Sequence, residues 1–121
     1  MSEVQNIDFK ACEKRLDLIE ATCRQIQKDF QWFDEQIEFT GNADSAYMEL
    51  FNQIKPIISR MINLDSERFF TLLYRIDIEE EKVKSILFGK QELAVDDEIT
   101  HLIIRRELVK VVLRKHFSAS L

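Results

Sequence analysis

The sequence predicts an all-α protein: a helical bundle of about five helices, with a long N-terminal heptad-patterned helix and a central C-terminal helix. The chain holds only 2 Gly and 1 Pro in 121 residues, too few for a turn-rich β fold. Its apolar residues recur in steps of three and four, as on one face of a helix. We expect one domain over 1–121, with the long helix within 1–40 and a helical core over 43–121.

The first helix is predicted from an uninterrupted heptad repeat. Its steps of three and four give the pattern of a coiled-coil seam, and they predict a helix from Asp8 to Phe39, stopped by Thr40-Gly41-Asn42. A helix over 9–37 would be ~43 Å long, which exceeds the roughly 35 Å diameter of a domain of this length. It would need an equally long partner, in the same chain or in a second one. The repeat comprises Phe9, Cys12, Leu16, Ile19, Cys23, Ile26, Phe30, Phe33 and Ile37.

A second helix is predicted to start near Asp44 or Ser45 and to reach Asn63. Its apolar face has the spacing of an amphipathic helix. Pro56 lies inside this segment, and we expect it to kink or divide the helix because proline removes a backbone hydrogen bond. The expected buried face is Tyr47, Phe51, Ile54, Ile58 and Met61.

Two short helices are predicted next, over 66–76 and 79–88. Asp65 is placed to cap the first of them. Asp77 followed by Glu80 resembles a capping box at the start of the second, and Gly89 is a natural stop after Phe88.

The last helix is predicted to run from Asp96 or Asp97 to about Phe117. It carries apolar residues on two faces, which is typical of a helix surrounded by protein. We therefore place it at the centre, with the second and third helices on one side and the first on the other. Arg106 falls within an apolar stripe and needs a carboxylate partner, for which Asp77 and the acids of the first helix are candidates.

Charge and composition exclude several classes of function. The net charge of −5 opposes non-specific binding of the whole chain to nucleic acid or to an anionic membrane. Residues 1–6 lack the apolar stretch of a secretion signal, and no run approaches the ~20 apolar residues of a membrane span, so we expect a cytoplasmic protein. Phosphate-binding loops, Cys-x-x-Cys and nucleophile elbows are missing from the sequence, and we predict no enzyme activity, no cofactor and no identifiable small-molecule ligand.

Two minority hypotheses concern the last helix. Arg106, Lys110 and Arg114 form a basic stripe that would suit a nucleic-acid-associated regulator, although the cations also complement the helix dipole and the acids around them. Glu98 and His101 have the Glu-x-x-His spacing of carboxylate-bridged metal bundles, but such sites need a second pair that the sequence lacks.

The leading hypothesis is a non-enzymatic helical protein that acts by association, as a homo-oligomer, with a dimer favoured, or with a protein partner. A second, weaker apolar stripe on the first helix supports this hypothesis, and Leu18, Trp32 and Phe39 are its candidate interface anchors. The alternative is that the heptad packs inside an antiparallel bundle of the same chain, since such bundles show the same spacing.

Two segments resemble a small, uncharacterised bacterial family of all-helical proteins. They are Phe69-Phe70-Thr71-Leu72-Leu73-Tyr74-Arg75-Ile76-Asp77 and Leu102-Ile103-Ile104-Arg105-Arg106-Glu107-Leu108. The resemblance covers about residues 48–117. It implies a stand-alone helical domain of bacterial origin, and it brings no activity, ligand or catalytic residue.

Overall fold

The computed structural model describes residues 15–89 and 93–120, with side chains described as far as 116. Over these residues the regular structure consists of α-helices, as the sequence predicts. None of the helices in this part of the chain is long and apolar enough to span a membrane. The five helices are α1 Leu16–Gln31, α2 Ala46–Leu64, α3 Ser66–Ile76, α4 Glu80–Phe88 and α5 Val95–Ser120.

The first helix is shorter than the heptad predicts. Arg15, at its start, has extended backbone, and α1 ends at Gln31 instead of Phe39. A tight turn follows, in which Asp34 takes a left-handed conformation with φ of 60°. Aspartate tolerates this region better than most residues, and the turn redirects the chain. At 1.5 Å per residue α1 spans ~24 Å. The prediction of one ~43 Å helix over 9–37, longer than the domain is wide, is therefore wrong. The predicted start at Asp8 lies outside the described residues.

Residues at the heptad positions nevertheless stay buried beyond the end of α1. Phe33 and Ile37 are buried although they follow the helix, because residues 35–40 return along the bundle in a non-helical conformation. Gln27 donates from Nε2 to the carbonyl of Ile37 at 2.9 Å. Gln53 accepts from the backbone N–H of Glu38 and donates to its carbonyl, both at 2.8 Å. Side-chain amides thus replace the intrahelical bonds that this segment lacks.

The second helix runs through its proline without a break. Pro56 lies inside α2, which is continuous from Ala46 to Leu64, so the predicted division of the helix does not occur. Pro56 and Asn52, whose carbonyl the missing N–H would have bonded, are both exposed, and water can satisfy that carbonyl there. Of the expected face, Ile54, Ile58 and Met61 are buried, while Tyr47 and Phe51 pack on the core from its edge.

The bounds of the short helices agree with the prediction to within one residue. The Asp65 side chain accepts from the backbone N–H of Arg68 at 3.2 Å and so caps α3. The capping box is wrong: Asp77 ends α3 in a left-handed conformation, and Glu79 precedes α4 without a side-chain cap. Gly89 ends α4 with φ of −93°; a Cβ there would lie 2.4 Å from the carbonyl oxygen of Ser85.

The last helix is central, as predicted, because α5 contacts each of the other four helices. One part of it packs into the main core with Ile99, Ile103 and Ile104. Further along, Leu108 and Val111 form a second small core with Leu18 of α1. Phe117, placed on the predicted apolar stripe, lies beyond the described side chains.

Candidate interaction face and the charge cluster beneath it

One diagonal row of side chains crosses the solvent-exposed side of α1. Its members are four residues apart: Leu16, Glu20, Arg24, Lys28 and Trp32. We call this row the α1 face. The first and last members are large apolar side chains that remain 47% and 69% exposed. The middle of the row is charged, with an acid in the N-terminal half and bases in the C-terminal half. Among the described residues, no ion pair involves Glu20, Arg24 or Lys28.

Trp32 is held in place although it is exposed. The guanidinium of Arg75, on α3, lies over the indole ring at 4.7 Å from its centroid, within the range of a cation–π interaction. One residue on, the Arg68 side chain donates to the carbonyl of Phe33 and lies over the Phe33 ring. Two arginines two turns apart on α3 therefore clamp the turn that follows α1.

A buried charge cluster holds Arg75 from below. Arg75 Nε lies 3.2 Å from Asp29 Oδ1, and Lys110 Nζ lies 3.4 Å from Asp29 Oδ2. Gln25 donates to the same carboxylate at 3.1 Å. Asp29 sits in the last turn of α1, where the helix dipole disfavours an anion. The two cations and the amide compensate for that position.

Glu107 is the second carboxyl of the cluster, and it is completely buried. It shares the ammonium group of Lys110 with Asp29, whose Oδ2 lies 3.4 Å from Lys110 Nζ. Lys110 Nζ lies 3.2 Å from Oε1, but neither carboxylate oxygen of Glu107 accepts a hydrogen bond from a described residue. An unsatisfied buried carboxylate is costly, whereas a protonated carboxyl that donates to Asp29 is not. The geometry therefore favours one proton shared between the two acids.

The pKa values of the two acids are shifted in opposite directions. Burial and, after it, the neighbouring Asp29 together raise the pKa of Glu107 to about 8, against a smaller opposing effect of Lys110. Burial also acts to raise the pKa of Asp29, but the hydrogen bonds from Glu107 and Gln25 and the charge of Lys110 outweigh it. The pKa of Asp29 therefore lies below its ordinary value. Asp29 is the ionised partner and Glu107 the protonated one.

The structure separates the three predicted interface anchors. Leu18 is buried against Leu108 and Val111 of the same chain, so it is not available to a partner. Phe39 packs on the edge of the core. Only Trp32 projects into solvent, and it lies on the face that Leu18 does not share.

The predicted basic stripe is engaged within the chain. Arg106 donates to Asp77 at 2.8 Å, the first of its two candidate partners. Lys110 bridges the two buried acids, and Arg114 donates to Gln25 at 2.7 Å. These contacts agree with the interpretation that the cations of the stripe complement the polar and acidic groups around the last helix. They give no support to a phosphate-binding surface.

The predicted metal pair is not assembled into a site. The Tyr47 hydroxyl and His101 Nδ1 form a 2.5 Å hydrogen bond, and the imidazole ring packs against the rings of Tyr47 and Phe51 at centroid distances of 5.7 and 4.7 Å. Across the described parts of the chain, His, Cys, Asp and Glu side chains nowhere form a group of three able to hold a metal ion. Glu98 has no such group around it.

Sequence reasoning missed the buried carboxyl pair and Arg75. A signal for Glu107 was present: it lies four residues from Ile103 and from Val111, both apolar, and is followed directly by Leu108. Asp29 precedes the seam residue Phe30 and gave no comparable signal. Its burial follows from the way α1, α3 and α5 come together.

No protein-family model, curated protein or solved structure matches this chain. The resemblance of residues 48–117 to an uncharacterised bacterial family therefore stays a prediction.

Proposed function

We propose that this protein is a non-enzymatic, self-associating helical protein whose α1 face binds the α1 face of a second copy in an antiparallel dimer. The observation that carries this proposal is the order of side chains along the face. An apolar residue stands at each end, and the charges between them change sign at the middle of the helix. A surface of this kind is complementary to itself when one copy is turned by 180°.

A two-fold axis close to Arg24 sets Arg24 against its own copy, which is a like-charge contact at the axis, and brings unlike residues together on either side of it. Position 16 of one copy then meets position 32 of the other, which places Leu16 against Trp32 twice. Position 20 meets position 28, which pairs Glu20 with Lys28 twice. Rows of residues four apart pack into one another at a crossing angle of about −50°, and a two-fold interface repeats each contact by symmetry.

The apolar ends supply the affinity, and the charges supply the direction. Exposed ion pairs contribute about 0–1 kcal/mol each, whereas a tryptophan anchor at an interface commonly contributes about 2 kcal/mol or more. Arg75 and the cluster below it already fix the position of the Trp32 ring. A fixed side chain loses less conformational entropy on binding than a mobile one.

Apart from Leu16, the described seam of the heptad is not the interface in this proposal. The seam residues that the structure describes from Ile19 to Ile37 lie in the core of the same chain. What remains for a second copy is the opposite side of α1, with Trp32 as the one anchor kept from the sequence hypothesis.

Charge reversal tests the antiparallel register directly. Glu20→Lys or Lys28→Glu alone places like charges opposite each other at two symmetric contacts, and each is expected to raise the dimer dissociation constant several-fold. The double variant restores unlike pairs and is expected to recover the parent value. Sedimentation equilibrium at low ionic strength measures all four proteins. Two single variants that dimerise as well as the parent, or a double variant that is as weak as the singles, would overturn this register.

Truncation of the anchor tests the face itself. Trp32→Ala is expected to raise the dimer dissociation constant tenfold or more. Phe88→Ala is the matched control, because Phe88 is 83% exposed and lies on α4, away from the α1 face. Equal effects of the two substitutions, or no effect of Trp32→Ala, would count against the α1 face.

A further inference from the structure

The buried acids connect mechanically to the surface tryptophan. Glu107 and Asp29 both lie against Lys110, Asp29 pairs with Arg75, and Arg75 stacks on Trp32. Each link is a direct contact, and the chain of contacts runs from a fully buried group to one that is 69% exposed. A change of charge at Glu107 can therefore alter the position of Trp32 through this series of contacts.

We propose that the Asp29–Glu107 pair is a proton-operated switch that carries one shared proton at neutral pH. Loss of that proton in mildly alkaline solution displaces Asp29 from Arg75. The position and environment of the Trp32 ring change as a result. Without the proton, two carboxylates face each other in a site that excludes water. Their repulsion is large at low local dielectric, and Asp29 is the member that also holds Arg75.

The charged groups around the pair come from three helices. Asp29 lies on α1, Arg75 on α3, and Lys110 on α5, the same helix as Glu107. Arg106 is next to Glu107 in sequence but pairs with the exposed Asp77. In the described part of α2 and α4, no side chain forms an ion pair with either acid of the pair.

The two cations do not remove the need for the proton. Lys110 is 19% exposed and is shared between both acids, and of the two acids Arg75 forms an ion pair only with Asp29 among the described residues. The oxygens of Glu107 accept no hydrogen bond from the described residues. Geometry and burial thus agree with a pKa of about 8 for Glu107, which places the transition in an accessible range of pH.

The chain's single tryptophan supplies the readout. We expect the fluorescence of Trp32 to change with a midpoint near pH 8 in the parent protein. Glu107→Gln keeps the size and the donor of a protonated glutamate but cannot ionise, so this transition is expected to be lost. Titrations at two protein concentrations tenfold apart separate it from any change in association, and the inference does not depend on dimer formation. A transition that persists unchanged in Glu107→Gln would overturn the proposal.

A second measurement reads the acid itself in the unsubstituted protein. Carbon-13 NMR of the glutamate carboxyl groups is expected to show one that titrates near pH 8, well above the rest, and this signal is expected to be missing from Glu107→Gln. If every glutamate carboxyl titrates below pH 6, Glu107 is ionised at neutral pH and there is no shared proton to lose.

Discussion

Glu107 shows how a single buried acid can set the pH dependence of a whole fold. It has no exposed surface, and its carboxyl group lies beside Lys110, which also contacts Asp29. Its neutral form is compatible with that position, whereas its ionised form is not. The unfolded chain has no such constraint, so folding and proton binding are linked at this residue.

The linkage predicts the sign of the pH dependence. The pKa of Glu107 rises from 4.5 to about 8 on folding, so the folded state binds more protons than the unfolded state between these values. The free energy of unfolding is therefore expected to fall with rising pH over this window, by up to about 1.4 kcal/mol per unit. Urea denaturation at a series of pH values measures this slope.

The matched variant for this slope is Glu107→Gln, which is expected to flatten it and to be more stable than the parent above pH 8. Every other titratable group is present in both proteins, so its contribution cancels in the comparison. Identical slopes in the two proteins would show that Glu107 folds in its ionised form.

Cys23 gives a second prediction at the scale of one residue. Its thiol is 2% exposed, and burial, with a smaller contribution from Glu49, raises its pKa to about 11. The thiolate is the reactive form, so Cys23 is expected to be inert towards a thiol reagent at pH 8. In Cys12→Ser, which leaves Cys23 as the only thiol, labelling should occur at the rate of unfolding. Fast labelling in the absence of denaturant would show that α1 opens locally from the core.

At the scale of elements, the sequence predicts which residues are buried, but it does not predict where α1 ends and the chain turns. The cap at Asp65, the core face of α3 and the central position of α5 follow from local spacing, and the structure confirms them. The end of α1 did not follow, because Phe33 and Ile37 keep the helical spacing of apolar residues after the helix has stopped. What stops it is the left-handed Asp34 together with the bonds from Gln27 and Gln53 to residues 37 and 38. Such contacts between distant segments are invisible to a periodicity argument.

The candidate site shows the same limit. Trp32 was found as an anchor because it stood out as a large residue off the main seam. Leu18, placed on the same stripe, is buried against α5, since a stripe on a short helix does not by itself say which neighbour covers it. The carboxyl pair combines residues 78 positions apart (107 minus 29), and only the packing of α1 on α5 brings them together.

Pro56 makes a prediction about α2 as an element. The helix is continuous through the proline, so the cost of the missing N–H is paid without a break in the chain. Pro56→Ala restores the hydrogen bond to residue 52 and is expected to stabilise the protein by about 1–2 kcal/mol, less than the ~3 kcal/mol cost of proline in an isolated helix. Thermal or urea unfolding measures the change. A destabilised variant would show that the proline bends α2 into the shape that the core requires.

For the whole molecule, the proposal of self-association depends on the solvent-exposed side of α1 and not on the length of this helix. From Ile19 to Ile37 the residues of the heptad seam lie in the chain's own core. Arg106, Lys110 and Arg114 of the last helix contact acids and an amide of other elements of the same chain. The α1 face is open to a second copy, with apolar ends, charges of both signs and a tryptophan in contact with Arg75.

The mass of the protein in solution tests this account most directly. Light scattering of the full chain over a range of concentrations is expected to show a dimer, with twice the mass of a single chain, and Trp32→Ala is expected to shift it towards the monomer at the same concentration. A parent protein that stays monomeric at the highest concentration, or a dimer that Trp32→Ala and Lys28→Glu leave intact, would contradict self-association through the α1 face.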